Sequence, residues 1–273
     1  MILMDMLVFW ILILLIVYVV LVAPRMIGRP DRTPFLGRDY AHRGLFDNAK
    51  VAPENSLAAF AKAVEAGYGI EWDVQLSKDD IPVIFHDATL ERMCGVKGNV
   101  WDYTLEELKE FRLGDSEERI PTLEEALALV DGRVPLIIEY KLDCVQTRVC
   151  ELANMQLKNY KGIYCIESFH PLALIWYRKN RPDVMRGQLS EEFWKEDKKY
   201  THFQYYALAY LISNVATRPD FVAYNHKHHK NLSRRLHALL GGVPVCYTVK
   251  NQADYEEARK HFKMIIFDSF IPR

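Results

Sequence analysis

Nine short apolar runs, separated by stretches of helical periodicity, restrict the folds open to this chain of 273 residues. They are Asp39–His42, Gly69–Val74, Val83–His86, Val134–Glu139, Gly162–Ser168, Val184–Leu189, Asp220–Tyr224, Pro244–Val249 and Met264–Asp268. Strands that alternate with helices build a parallel sheet covered on its outer face. The polar turn Ser77-Lys78-Asp79-Asp80-Ile81 makes Val83–His86 the antiparallel return arm of a hairpin. Eight parallel strands then remain, the number that closes a (β/α)8 TIM barrel. No repeat beyond this alternation and no low-complexity segment interrupts it.

The barrel does not account for the N-terminus. Met6 to Ala23 carries no charge, and as a helix it is roughly 27 Å long, close to the hydrocarbon thickness of a bilayer. No basic residue precedes it, and Leu21 and Ala23 make a poor small-x-small cleavage site ahead of Pro24. These features favour an uncleaved transmembrane anchor over 1–24. A Pro/Arg-rich linker, 25–38, would join it to the barrel, 39–273. Arg25, Arg29, Arg32 and Arg38 follow the span and only Asp5 precedes it. A Lys/Arg excess marks the cytoplasmic flank, so the expectation is a single-pass membrane protein with its catalytic domain in the cytosol.

Within the barrel the most informative stretch is Gly69-Ile70-Glu71-Trp72-Asp73-Val74. Side chains two apart on a strand share a face, which sets Glu71 and Asp73 side by side. Adjacent carboxylates repel unless a cation lies between them, and oxygen donors suit a hard divalent metal. A wet face on an edge strand would also explain one such pair. Leu136-Ile137-Ile138-Glu139-Tyr140-Lys141 repeats the spacing at the end of an apolar run. A run apolar on both faces belongs to a buried parallel strand, where terminal charges serve a site or a salt bridge. The hairpin returns His86 towards Asp73, and an imidazole beside bound metal is suited to acid-base chemistry. His42, Glu71, Asp73 and Glu139 all fall at C-terminal strand ends, where barrels of this kind carry their chemistry.

Thirty-five basic and thirty-six acidic residues leave a charge of -1, which argues against a nucleic-acid surface. Five cysteines, Cys94, Cys144, Cys150, Cys165 and Cys246, contain no CxxC pair and read as reduced and structural. Asn55 or Ser56 caps a helix with the stripe Leu57, Phe60, Ala61 and Val64. Two capping boxes, Thr104/Glu107 and Thr122/Glu125, open later helices. The first lies in an excursion over 87–121 at the barrel mouth. Gly95, Gly98 and Asn99 suggest a mobile loop there, able to cover a substrate.

Six motifs appear in order: Ala41-His42-Arg43-Gly44, Ala52-Pro53-Glu54-Asn55-Ser56, Glu71-Trp72-Asp73-Val74, Phe85-His86-Asp87, Pro121-Thr122-Leu123-Glu124-Glu125 and Glu139-Tyr140-Lys141. Together they resemble the glycerophosphodiester phosphodiesterases, densely from Tyr40 to Lys141. Beyond that the resemblance thins to Glu167-Ser168-Phe169, Tyr247-Thr248-Val249 and Ile266-Phe267-Asp268. It implies a TIM barrel that uses one divalent cation, Mg2+ or Ca2+, to hydrolyse a glycerophosphodiester to glycerol phosphate and an alcohol. It further implies Glu71, Asp73 and Glu139 as metal ligands, His42 and His86 as the acid-base pair, Arg43 and Lys141 as phosphate contacts, and Glu54 as a brace. Tyr247 stands where the family usually has Trp, which bears on head-group preference.

Two other functions remain open beside this one: lysophospholipase D-type action on lysophospholipids, and a catalytically silent lipid- or phosphate-binding module. The sequence indicates no obligate protein partner. His226, His228 and His229 read as a polar loop at the mouth or as substrate contacts, and Lys195 to Lys199 as solvated surface. Phe203 to Val215 reads as a helix packed on the barrel wall or as an interfacial helix beside the anchor.

Overall fold

The structure is a computed structural model that describes residues 2–48, 51–142, 146–200 and 202–273. Cys144 lies outside the described residues, and the other four cysteines are free thiols. The chain opens with α1 (Ile2–Val22) and a 3-10 turn at Thr33–Phe35, then enters the barrel with β1 (Asp39–His42), α2 (Leu57–Glu65) and β2 (Gly69–Leu76). The return arm β3 (Pro82–Ile84) leads through α3 (Glu91–Cys94) and α4 (Leu105–Glu110) to α5 (Leu123–Val130) and β4 (Leu136–Tyr140). Next come α6 (Arg148–Leu157), β5 (Tyr164–Ser168), α7 (Pro171–Asn180) and β6 (Arg186–Ser190). The connection from β6 carries α8 (Phe193–Glu196), α9 (Phe203–Ala209) and α10 (Asn214–Thr217) down to β7 (Phe221–Asn225). The chain ends with α11 (Leu232–Leu239), β8 (Val243–Val249), α12 (Gln252–Arg259) and β9 (Met264–Phe267).

Eight of these strands run parallel in the cyclic order β1-β2-β4-β5-β6-β7-β8-β9, and β1 closes the ring by pairing with both β2 and β9. β3 pairs antiparallel with the upper end of β2, Val74 opposite Ile84. The strand-helix alternation in the sequence thus corresponds to a (β/α)8 barrel with one hairpin arm outside the parallel set.

Period-two alternation divides the residues of each strand between two cores. Ile70, Trp72 and Val74 face outward into the layer shared with Phe60, Leu123 and Leu127 of the surrounding helices. The alternate positions fill the barrel, whose lower half is an apolar plug of Tyr40, Ile137, Cys165, Phe221, Val245 and Ile266, with Phe35 packed against it. One step further along the same strand faces the residues turn polar: Tyr40 gives way to His42, Ile137 to Glu139, Cys165 to Glu167 and Ile266 to Asp268. Two glycines make room for aromatic rings in the plug. Gly69 is the register partner of Tyr40, and Gly187 of Phe221.

The excursion over 87–121 differs from the expected loose loop. Leu90, Met93, Val100, Leu108, Leu113 and Ile120 pack with Val83 and Phe85 into a small apolar core of their own, and the capping boxes at Thr104 and Thr122 both form. Phe203 to Val215 also departs from a single wall helix. It breaks at Tyr210–Ser213, where Leu211 takes a positive φ of 57° and is fully buried.

Segment 25–38 is latched to the bottom of the barrel. Arg25 donates to the Pro182 carbonyl at 2.5 Å and pairs with Asp220 at 3.5 Å, and Arg29 and Arg32 donate to the carbonyls of Leu240 and Gly241. Helix α1 is long and apolar enough to cross a membrane, with mean hydropathy 2.9 over Leu3–Val22.

The plug yields a direct test. A Cβ added at Gly187 would lie 2.0 Å from the Phe221 ring, so Gly187→Ala is expected to destabilise the protein by about 1–3 kcal/mol as the ring is forced aside. Thermal unfolding of the variant against the parent checks this.

Candidate active site

β1 and β2 are neighbours, with His42 beside Glu71, and the next register row sets Asp73 beside Glu139 and Glu139 beside Glu167. The ladder therefore brings together side chains far apart in sequence. One oxygen from each of Glu71, Asp73 and Glu139 forms a group whose members lie within 4.8 Å of one another, and all three residues are buried. Lys141 reaches into this group, its Nζ donating to Glu139 Oε1 at 2.6 Å and pairing with Asp73 Oδ1 at 2.9 Å. Arg43 closes the other side. Its Nη1 donates to Glu54 Oε1 at 2.6 Å, its Nε stands 3.5 Å from Asp73 Oδ2, and its backbone N–H donates to Glu71 Oε2 at 3.2 Å. That last bond is made with Arg43 at φ 56°, a left-handed conformation unusual for an arginine.

The two histidines share one design. His42 Nδ1 is 2.9 Å from Asp268 Oδ2, and His86 Nδ1 is 2.6 Å from Asp87 Oδ1. Each carboxylate fixes a ring and leaves Nε2 for other work; that of His42 stands 3.9 Å from Glu71 Oε2. Gln75, third in the row after Glu71 and Asp73, donates its amide to the carbonyls of Phe85, His86 and Asp87. It pins the segment that carries His86 to the strand that carries the carboxylates.

Burial and mutual charge set the protonation of the cluster. Burial raises the Glu71 pKa well above the ordinary carboxylate value, and Asp73, Glu139 and Glu167 raise it further. Glu139 is raised by burial against the opposing pull of Lys141, and Glu167 well raised by burial and by Glu139. Asp73 goes the other way: burial would raise it, but Lys141, His86, Arg43 and the Asn55 amide, 2.8 Å away, hold it well below. Burial lowers His42 to about 4 in spite of the bond to Asp268.

A divalent cation fits this donor set. The donors are all hard oxygens, and Glu71 Oε1 is buried with no hydrogen-bond partner among the described residues. Glu71, Asp73 and Glu139 could hold such an ion, and the set serves calcium or magnesium alike.

A cavity of about 800 Å³ opens beside the cluster. His86, Glu139, Lys141 and Gln75 form its polar end, and Leu142, Phe169, Phe193, Tyr205 and Leu208 its apolar one. His42, Arg43, Glu71 and Asp73 are not part of its wall; the Lys141–Asp73 pair links them to it. The cover comes from the β6–β7 connection, since of the 87–121 excursion only Ala88 touches the cavity. Tyr247 packs edge-on to Phe169 and donates its hydroxyl to the Ser190 carbonyl. The histidine loop does not reach the cavity. His228 is buried and accepts from the Glu192 backbone N–H, while His226 and His229 line a separate cleft with Asp254, Glu257 and His261.

Strand ends and the hairpin place His42, Glu71, Asp73, Glu139 and His86 at one mouth, and Arg43 and Lys141, expected there from the resemblance alone, lie with them; the groups that hold these seven, Glu54 apart, were not foreseen. Asp268, Asp87, Gln75 and the buried carboxylate Glu167 had no assigned role, and Asn55 only that of an alternative helix cap to Ser56, which is the residue that caps α2. Gln75 was open to the same period-two argument as Glu71 and Asp73. Glu167 and Asp268 become visible through the strand register, Asn55 and Asp87 through the fold of the loops that carry them.

The model of the glycerophosphoryl diester phosphodiesterase family matches residues 42–267. A glycerophosphodiester phosphodiesterase of Caldanaerobacter subterraneus is 38% identical over 160 residues, which cover 55% of this chain and 65% of that protein. The chain spans just under two thirds of the length of this and another curated relative, from Bacillus altitudinis. Among solved structures, a glycerophosphodiester phosphodiesterase from Thermotoga maritima aligns with TM-score 0.64 and 26% identity over 84% of this chain and 93% of that one.

Glu54 supplies a prediction for the bracing layer. Burial would raise its pKa, but hydrogen bonds from Arg92 together with Arg43 and Asn48 lower it from 4.5 to about 2. Its pairs therefore stabilise the fold fully above pH 4.5, and the stabilisation is lost as pH falls through about 2. A shift of this size corresponds to on the order of 3 kcal/mol. Glu54→Gln is expected to be less stable than the parent at pH 7, with the gap shrinking below pH 4.5. Urea unfolding across pH measures it.

Proposed function

We propose that this chain, which belongs to the glycerophosphoryl diester phosphodiesterase family, hydrolyses glycerophosphodiesters to glycerol phosphate and an alcohol with the aid of one divalent cation. The observation that carries the reading is the convergence of three buried carboxylates, two cationic side chains and two carboxylate-tethered imidazoles at one barrel mouth. Few other chemistries need that combination.

Glu71, Asp73 and Glu139 would hold the ion. When bound, it supplies charge neutralisation to a non-bridging phosphate oxygen. Arg43 and Lys141 neutralise the remaining phosphate charge and orient the diester for in-line displacement at phosphorus. His42, kept neutral by burial and oriented by Asp268, takes through Nε2 the proton of the attacking oxygen, which is that of water or of the substrate's own glycerol hydroxyl; in the second case a cyclic phosphate forms first and water then opens it. His86, oriented by Asp87 and set in the wall of the cavity, gives a proton to the departing alcohol oxygen. The P–O bond to the alcohol breaks as the bond to the attacking oxygen forms. Asp87 and Glu54 share Arg92, which holds the His86 and Arg43 sides of the site at a fixed separation.

A second substrate class has a specific observation in its favour. The apolar half of the cavity, from Leu142 to Leu208, has no counterpart to bind in glycerophosphocholine but suits the single acyl chain of a lysophospholipid. The membrane setting agrees with that: α1 is read as an uncleaved anchor, with the barrel on the cytosolic side.

Turnover of glycerophosphocholine and of lysophosphatidylcholine by the full chain, each with and without EDTA, tests the reading. His42→Ala and His86→Ala are each expected to reduce turnover by roughly 10²–10⁴, and EDTA to abolish it. A silent binding module would turn over neither substrate.

A further inference from the structure

The way α1 docks on the barrel determines which face of the enzyme meets the membrane. Strands enter the barrel at its bottom and leave at the mouth, so height can be read from β7 and α11. The C-terminal end of α1 lies low. Arg25 N–H donates to the Pro219 carbonyl just ahead of β7, and Arg218 Nη1 donates to the carbonyls of Val20 and Ala23. The Asn214 amide donates to the Val22 carbonyl, and Val22 packs, fully buried, against Leu211, Val222 and Tyr224. One turn earlier in the helix, the Tyr18 hydroxyl is hydrogen-bonded to Ser233 in the first turn of α11. That turn follows the C-terminal end of β7, at the mouth. Traced backwards from Val22, α1 therefore climbs from bottom to mouth, and Leu3–Val17 continue past it, almost all exposed.

Length then fixes the level of the bilayer. Leu3–Val17 measures about 22 Å at 1.5 Å per residue, short of a hydrocarbon core of roughly 30 Å. The free part of α1 is thus too short to hold the barrel away from the bilayer, which brings the membrane surface down at least to the level of Tyr18 and Ser233, where the helix meets the mouth. The surface at this level carries large exposed apolar side chains beside the charged run Lys195–Lys199. Leu232, beside Ser233, is 71% exposed, and Phe203 of α9 is 78% exposed. Trp194 stacks on Tyr206 with centroids 4.5 Å apart and leans on Tyr210, and these two tyrosines are exposed as well. Tryptophan and tyrosine are the residues that settle at bilayer headgroups. The α8–α9 segment also supplies Phe193, Tyr205 and Leu208 to the cavity wall. Its continuation, Leu211, Asn214 and Arg218, grips α1.

We propose that the catalytic mouth faces the bilayer in which α1 is anchored, with Trp194, Phe203, Tyr206, Tyr210 and Leu232 forming a rim seated among the lipid headgroups. Substrate then enters from the membrane interface, along the aromatic wall of the β6–β7 connection. The latch of Arg25, Arg29 and Arg32 lies on the far face of the barrel, away from the lipid. This inference rests on the anchoring reading given above and is independent of whether the chain is catalytically active.

The full chain, reconstituted into phosphatidylcholine/phosphatidylglycerol vesicles that contain a headgroup-level nitroxide lipid, gives the test. A bimane fluorophore is placed at Phe203→Cys, at Leu232→Cys on a separate element, and at Lys263→Cys at the bottom of the barrel, with the labelled parent as blank for native thiols. Quenching at both rim positions is expected to exceed that at position 263 by at least about threefold, as an interfacial rim requires. Equal quenching at all three sites, or stronger quenching at 263, would overturn the proposal. Extraction of the parent into the soluble fraction by alkaline carbonate would defeat the anchoring reading and this inference with it. Loss of phosphodiesterase activity alone would count only against the proposed reaction.

Discussion

Four carboxylates are buried together at one end of the closed barrel: Asp73, Glu139 and Glu167 side by side in one register row, and Glu71 one step below Asp73 on the same face of β2. Like charges so placed cannot all ionise in a low-dielectric interior unless cations answer them. Much of the surrounding architecture follows from that requirement. Arg43 is held in a left-handed conformation so that its backbone N–H meets Glu71 while its guanidinium reaches Asp73 and Glu54. Lys141 comes back over the mouth to lie between Asp73 and Glu139. A divalent ion is the remaining cation that such a set of oxygens is suited to accept.

The barrel keeps this charge at one end. Its lower half is filled by Tyr40, Phe221 and their apolar neighbours, whose rings fit because Gly69 and Gly187 stand opposite them. Water is thereby excluded beneath the site, and the polar row can only face the mouth. The outer layer around Trp72 and Phe60 fixes the strands from behind. Around the polar row Asn55, Glu54, Asp87 and Asp268 hydrogen-bond to the inner groups and limit their rotamers, and Arg92 ties Glu54 to Asp87. Preorganisation of that kind is what electrostatic catalysis at phosphorus needs.

The legible part of this arrangement was local. Period-two spacing exposed Glu71 with Asp73 and Glu139 with Lys141, and the Thr104 and Thr122 boxes marked helix starts that the structure contains. Strand count gave the barrel because the hairpin turn at Ser77–Ile81 singled out β3. What escaped depends on contacts distant in the chain. The partnership of His42 with Asp268 spans the closure of the barrel, and only pairing of β1 with both β2 and β9 makes it. Gly95 and Gly98 suggested looseness, yet an apolar cluster around Leu90 and Leu108 packs that region. Likewise 203–215 reads in sequence as one helix, on the barrel wall or at the membrane interface, but a buried Leu211 with positive φ bends the segment so that its upper half covers the mouth and its lower half holds α1.

The account stands on the three acidic side chains sharing one ion, and Mn2+ binding to the full chain, followed by its electron paramagnetic resonance signal, tests that claim most directly. Glu71→Gln, Asp73→Asn and Glu139→Gln are each expected to lose one bound equivalent relative to the parent while retaining its circular dichroism spectrum. An unchanged Mn2+ stoichiometry and affinity in all three folded variants would contradict it.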